Sequence, residues 1–392
     1  YKRQPFFFIY SVWTKNGEYR EQVKRLVTDY DNYISLKLAG DDAYLSEKMV
    51  GYPAELDEVY AESFEEQKKE WFSCVGDGIQ ECRNTWEHKK WNITDFPEFE
   101  LAITIDRPEL YYDFLQKEWT RFCHDYWKNN FLEHHTLSQK RVTRIYIGNQ
   151  FCHNLFPKKK LLFQVLEKAL ENNLAVTLAF TYIRDHLLEE IDELLQELEV
   201  WCQSREKEAG KDQEEIIVND WAMPILLQGK PHLKPVLGVL LNKRRKDVRL
   251  PYKHGIGNHV DSLAENNLNC GFYQDYLKNT FDIQRFEFES CGYKVTIPDG
   301  HHSLHLPFFQ TNTSQYCTLY AVCRYGDREK QKLPENCPRY CNKKVFLYPK
   351  HLKMVGRYNS LFGYDEKILW DEKQLQDYLE QGIDRIVVNV SL

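Results

Sequence analysis

Four thiols stand close together near the C-terminal end of the sequence, spaced Cys317-x5-Cys323-x13-Cys337-x3-Cys341. Thiolate sulfur is a soft ligand that selects zinc or iron–sulfur centres, and iron–sulfur clusters are held by four such groups. Structural zinc sites use pairs about two to four residues apart. Here only Cys337 and Cys341 fit, in a segment broken by Pro334 and Pro338. The wider intervals favour a cluster, whose larger core tolerates them. The alternative for any one cysteine is a small buried hydrophobe, and Cys270 and Cys291 are read that way. Cys152 lies further upstream, just past a strand, and either replaces one of the four or is a separate reactive thiol. The total of eleven cysteines is odd, and Tyr1–Tyr10 lacks the length and cleavage site of a signal peptide, which argues against a disulfide framework. Cys74 and Cys82 share one loop with no second pair nearby and are given no role.

These thiols need a scaffold, and from residue 142 the sequence supplies a regular one. Val142–Ile147 reads as a β-branched strand and 158–172 as a helix with Leu162, Val165, Leu166, Ala169 and Leu170 on one face. Strand 174–180 is apolar on both sides, as a parallel strand buried on two faces requires. Helix 185–203 carries the stripe Leu188, Ile191, Leu195 and Leu198. Strand 215–218, a short helix after Asp220, strand 235–241, helix 268–279 and strand 284–288 continue the alternation. The expected fold is α/β, a (β/α) barrel or partial barrel. No glycine-rich phosphate fingerprint follows any strand, which disfavours a dinucleotide fold.

In a barrel the reactive groups sit at the C-terminal ends of strands. Those ends read Gly148-Asn149-Gln150-Phe151-Cys152, Thr181-Tyr182-Ile183-Arg184, Asn219-Asp220-Trp221, Asn242-Lys243, and Glu287 with Glu289. Arg184, Asp220, Glu287 and Glu289 are therefore candidate acid–base or anchoring groups. The alternatives are a helix cap for Asp220 and an exposed strand face for the two glutamates. His301, His302 and His305 are a candidate base, or a turn running into a strand.

The first 140 residues have a different rhythm. Segments 6–12, 32–38 and 98–105 look like strands, and 58–72 and 109–131 like helices, which makes an α+β module at 1–140 before a barrel domain at 141–392. The polar stretch 134–141, with its double histidine, reads as a solvated linker. Net charge is −7, so binding duplex nucleic acid through the whole surface is disfavoured, while nucleic acid is not excluded. The basic run Lys243-Arg244-Arg245-Lys246 reads as a solvated loop. No apolar run reaches the ~18 residues that a membrane span needs, and a cytoplasmic location is expected. Aromatics make up 14% of the chain, read as a large aromatic core rather than stacking surfaces.

Three pieces of the chain resemble a known family. They are Ile145-Tyr146-Ile147-Gly148-Asn149 with Cys152 just after; Ile217-Val218-Asn219-Asp220-Trp221 with Leu237-Gly238-Val239-Leu240-Leu241-Asn242; and Leu306-Pro307-Phe308, Gln315-Tyr316-Cys317 and the closing Cys337 and Cys341. Across residues 142–345 the chain is similar to the collagenase-like peptidase family U-thirty-two, which includes bacterial proteins of anaerobic ubiquinone hydroxylation and RNA hydroxylation. The resemblance implies a barrel-like fold and a four-iron four-sulfur cluster. One family arrangement maps to Cys152, Cys317, Cys337 and Cys341; another maps to Cys317, Cys323 and Cys337 and lacks its fourth ligand here. It also implies an oxygen-independent hydroxylase or related redox enzyme acting on a peptide, RNA or small aromatic substrate, with an electron-donor protein as a further partner. The alternatives are a non-catalytic electron relay and a peptidase. Neither a Gly-x-Ser-x-Gly elbow nor a His-Glu-x-x-His motif occurs in the sequence to support the last.

Overall fold

The structure is a computed structural model that describes residues 17–24, 68–69, 71–72, 96–209, 214–248, 264–334, 336–348 and 353–390. Eight parallel strands form its centre: β1 (Glu100–Ile105), β2 (Arg144–Gly148), β3 (Ala175–Ala179), β4 (Glu214–Val218), β5 (Leu233–Leu237), β6 (Glu287–Glu289), β7 (His302–Leu306) and, from the far end of the chain, β12 (Ile383–Val388). Their order around the sheet is β5-β4-β3-β2-β1-β12-β7-β6. The two edges meet at a parallel bridge between Leu237 and Phe286, where the Leu237 N–H donates to the Arg285 carbonyl at 3.0 Å. The α/β barrel expected from the alternation is therefore present, nearly closed.

The alternation works because each strand is buried on two faces. In β2, Ile145 and Ile147 face the helices while Tyr146 faces the barrel interior, and all three are buried. Helix α3 (Lys159–Glu171) covers the outside with Leu162, Val165, Leu166 and Ala169. Helix α4 (Leu188–Ala209) does so with Leu195 and Leu198. Between β7 and β12 the chain leaves the barrel to build a second sheet. It is antiparallel, with β8 (Phe308–Thr313), β9 (Phe346–Leu347), β10 (Met354–Arg357) and β11 (Ser360–Tyr364) in the order β8-β11-β10-β9. The cysteine-rich stretch hangs from this excursion.

Several expectations change. The division at residue 140 does not follow the sheet: β1 pairs with β2 and with β12, so it is a barrel strand. Segment 109–131 is two helices, α1 (Pro108–Gln116) and α2 (Trp119–Asn129), because Lys117 takes an extended conformation between them. The stretch 134–141 is no solvated linker. His135 is buried, its Nε2 donates to the Leu369 carbonyl at 2.8 Å, and its Nδ1 accepts from the Leu137 N–H at 3.1 Å. Segments 6–12, 32–38 and most of 58–72 lie outside the described residues, as do Cys74 and Cys82. No described helix is long and apolar enough to cross a membrane.

Candidate functional site

The strand ends carry the site. Past β2, the Asn149 side chain accepts from the N–H groups of Phe151 and Cys152, both at 2.9 Å, a local turn that fixes Cys152 at the barrel mouth. Cys317 caps helix α6 (Thr318–Tyr325): its sulfur accepts from the Tyr320 N–H at 3.3 Å and its S–H donates to the Tyr358 carbonyl at 2.9 Å. Cys341 is buried in a short turn, 340–342, that follows Cys337 and a left-handed Arg339. Arg357 holds that turn by donating to the Cys341 carbonyl at 3.0 Å.

Cys152, Cys317, Cys337 and Cys341 lie near enough to one another for their charges to be felt. Burial pushes the Cys152 thiol up to about 11, and the charge of Cys337 adds to the rise. Burial pushes Cys341 up to about 12, with the charges of Cys152 and Cys337 adding to it. Burial also raises Cys317 strongly, and it feels the other three. Arg184 and Arg357 act the other way, on Cys152 and Cys341 respectively. The nine described cysteines are all free. Among the described residues, no group of three or more His, Cys, Asp or Glu side chains is close enough together to hold a metal ion. Cys323 stands apart: burial raises its thiol too, but the charge it feels is that of Lys344.

Beside the thiols opens a cleft of about 980 Å³, lined by residues that include Tyr182, Asp220, Trp221, Lys243, Lys246 and Gln310. Arg184 joins the two regions, donating to the Gln315 carbonyl and to the Tyr182 hydroxyl at 3.4 Å. Both carboxylate oxygens of Asp220 are occupied. One accepts from the Met223 N–H at 3.0 Å, in the first turn of helix α5 (Ala222–Leu226), and the other from the Ile183 N–H. Trp221 takes the N-cap position of this helix, and Asp220, one residue before it, bonds to the helix's first turn and also lines the cleft.

Glu287 and Glu289 are buried inside the barrel, which rules out the exposed strand face. Glu289 pairs with Lys246 at 2.6 Å and accepts from the Gln310 N–H at 2.7 Å. Lys246 belongs to the basic run, and the reading of that run as a solvated loop is wrong for most of it. Arg244 is buried and donates to the Glu289 carbonyl and to the Cys291 sulfur at 2.8 Å, and Arg245 is buried as well.

Below the cleft, the barrel interior is filled by charge as well as by side-chain bulk. Ala102, Tyr146, Ala179, Ile217, Val236 and Val387 form a small inner apolar cluster. Glu287 accepts from the Tyr146 hydroxyl at 3.1 Å and from His305 Nε2. The Tyr146 hydroxyl in turn accepts from Arg385 at 3.2 Å. Arg385 forms a bidentate pair with Glu215, at 2.6 and 3.0 Å, and reaches Glu100 at 2.6 Å. Arg144 reaches Glu100 at 3.0 Å and Glu215 at 3.3 Å. Sequence reasoning passed over Tyr146, Glu215 and Arg385. For Tyr146 the signal is a polar residue between two apolar ones in a buried strand, Ile145-Tyr146-Ile147; Glu215 and Arg385 each follow another charged residue, Glu214 and Asp384, and carry no such mark. His301 and His302 separate from His305: His301 is exposed beside Asp384, and His302 stacks on Phe286.

No protein-family model, curated protein or solved structure matches this chain.

Proposed function

We propose that the chain holds a four-iron four-sulfur cluster on Cys152, Cys317, Cys337 and Cys341, and that it is a redox enzyme acting on a substrate in the adjoining cleft. What supports this reading is that four free thiols, one of them just past β2 at the mouth of the barrel, are near enough to feel one another's charge. That is the end where barrel enzymes place their chemistry. Four thiolates are the ligand set of such a cluster, and coordination would release the protons that burial holds on the sulfurs. Bound there, the cluster would supply one-electron transfer. Arg184 and Arg357 would offset part of the negative charge gathered on the sulfurs.

The cleft supports an enzyme over a relay. Its volume suits a small molecule or the end of a longer chain, and a relay would need the thiols without it. The resemblance to the U-thirty-two family narrows the reaction class to hydroxylation without dioxygen. Peptide, RNA and small aromatic substrates stay within that class. A peptidase reading gains no nucleophile–base pair from this geometry.

The test begins with protein purified without oxygen. A broad visible absorption that bleaches on reduction, with a paramagnetic signal from the reduced state, supports the cluster. Trp221→Ala and Lys243→Ala, at exposed residues that line the cleft, compared by the products that accumulate in cells, separate the functions. An enzyme loses product while the absorption persists, whereas a relay tolerates both changes.

A further inference from the structure

A cavity of about 30 Å³ lies at the C-terminal end of the barrel axis, lined by residues that include Thr104, Asn149, Gln150, Val239, Glu289 and His305. Val239 also lines the large cleft, and so do Lys246 and Gln310, the two partners of Glu289. The cavity is thus the floor of the cleft, behind the Lys246–Glu289 ion pair. It is large enough for a water-sized group, and its walls are polar enough to hold one.

His305 is 3% exposed and its Nε2 is bonded to Glu287. The Glu287 carboxylate is held from the other side by the Tyr146 hydroxyl. A carboxylate only accepts, so the Nε2 position carries the hydrogen. Nδ1 has no hydrogen-bond partner among the described residues, and it belongs to a ring that lines the cavity. A buried imidazole nitrogen facing polar space, with the opposite nitrogen fixed by a buried carboxylate, is the arrangement of a general base and its orienting group.

We infer that this cavity is a binding site for water, or for one hydroxyl of a substrate reaching in from the cleft, and that His305 is its general base. The ligand donates its O–H hydrogen bond to Nδ1. In the transfer the O–H bond breaks, an N–H bond forms on Nδ1, and the electron pair stays on the oxygen. Glu287 is a positioning residue: it fixes the tautomer and stabilises the imidazolium. Glu289 stands beside the same group, and Lys246, on the cleft side, balances its charge. The inference rests on the reading of this barrel end as an active site, but it does not need the cluster.

Two measurements on the intact protein test it, with water itself as the probe. A crystal structure that resolves ordered solvent is expected to show a water within hydrogen-bond distance of His305 Nδ1, lost in His305→Phe. Long-range proton–nitrogen spectra of histidine-labelled protein, with His305→Gln to assign the signal, are expected to place the proton on Nε2 and leave Nδ1 bare. Glu287→Gln should move the proton to Nδ1, because an amide can donate to Nε2. A dry cavity, or an Nδ1 that carries the proton in the wild type, overturns the inference. Iron measured on the same samples keeps the two readings apart. Water without iron sinks the cluster alone, and iron without water sinks the base alone.

Discussion

Replacing Glu215 by Gln keeps the shape of the side chain and removes one charge from the floor of the barrel. Burial pushes the Glu215 carboxyl up, but Arg144, Arg385 and Arg285 more than reverse this and hold it at about 2, against an ordinary 4.5. A shift of that size, at about 1.4 kcal/mol per unit, corresponds to roughly 3 kcal/mol of stability at neutral pH. Loss of one partner from a buried pair falls in the same range. The folded value lies below the unfolded one. The contribution is therefore fully present above pH 4.5 and is lost as pH falls through about 2. Urea denaturation of both proteins at matched iron content should show Glu215→Gln less stable by roughly 3 kcal/mol at pH 7 and by only about 1 kcal/mol at pH 3. A deficit under about 1 kcal/mol at pH 7, or one that does not shrink on acidification, would refute the account of the charge network as mutually compensating.

Other consequences follow from single contacts. Lys246→Met should cost about 3–5 kcal/mol by denaturant titration, because it strands the buried Glu289 carboxylate; adding Glu289→Gln should restore much of that. Tyr146→Phe should cost about 1–3 kcal/mol by the same method, since it removes a hydroxyl bonded to both Glu287 and Arg385. Gly238→Ala should lower thermal stability by an amount worth about 1–3 kcal/mol, because the added Cβ would come within 2.2 Å of Asn219 Oδ1 and 2.6 Å of Ile217 Cγ2.

The barrel was legible wherever its periodicity is local. Each of β2, α3, β3 and α4 carries its own burial pattern locally; the structure places β2, α3 and β3 within two residues of the expected bounds and extends α4 by six residues at its end. What could not be read was pairing between remote parts of the chain. Glu100 lies opposite Arg385 in the sheet, a neighbour 285 positions away, so β1 was assigned to a separate module. The break at Lys117 carries no glycine or proline to announce it. The run Lys243–Lys246 reads as solvated by composition, and only Glu289, which ends β6, and Cys291, just past it, make most of it a buried one.

The candidate site divides in the same way. Cys152 was singled out because it follows a strand end, and the structure does place it just past β2. Separating Cys323 from the other four required the three-dimensional turn around Cys341. Glu287 and Glu289 were singled out by their two-residue spacing, which put both inside the barrel. Their partners, His305 and Tyr146 for one and Lys246 for the other, lie on different elements and had no shared spacing to betray them.

The central claim is that four named thiols hold one cluster, and metal analysis of a cysteine panel tests it most directly. Protein purified without oxygen is expected to contain about four iron and four sulfide per chain. Alanine at Cys152, Cys317, Cys337 or Cys341 should each lower that content sharply, and alanine at Cys323 should leave it unchanged. Zinc in place of iron, no bound metal, or a Cys323→Ala protein that loses its iron while Cys152→Ala keeps it would contradict the account.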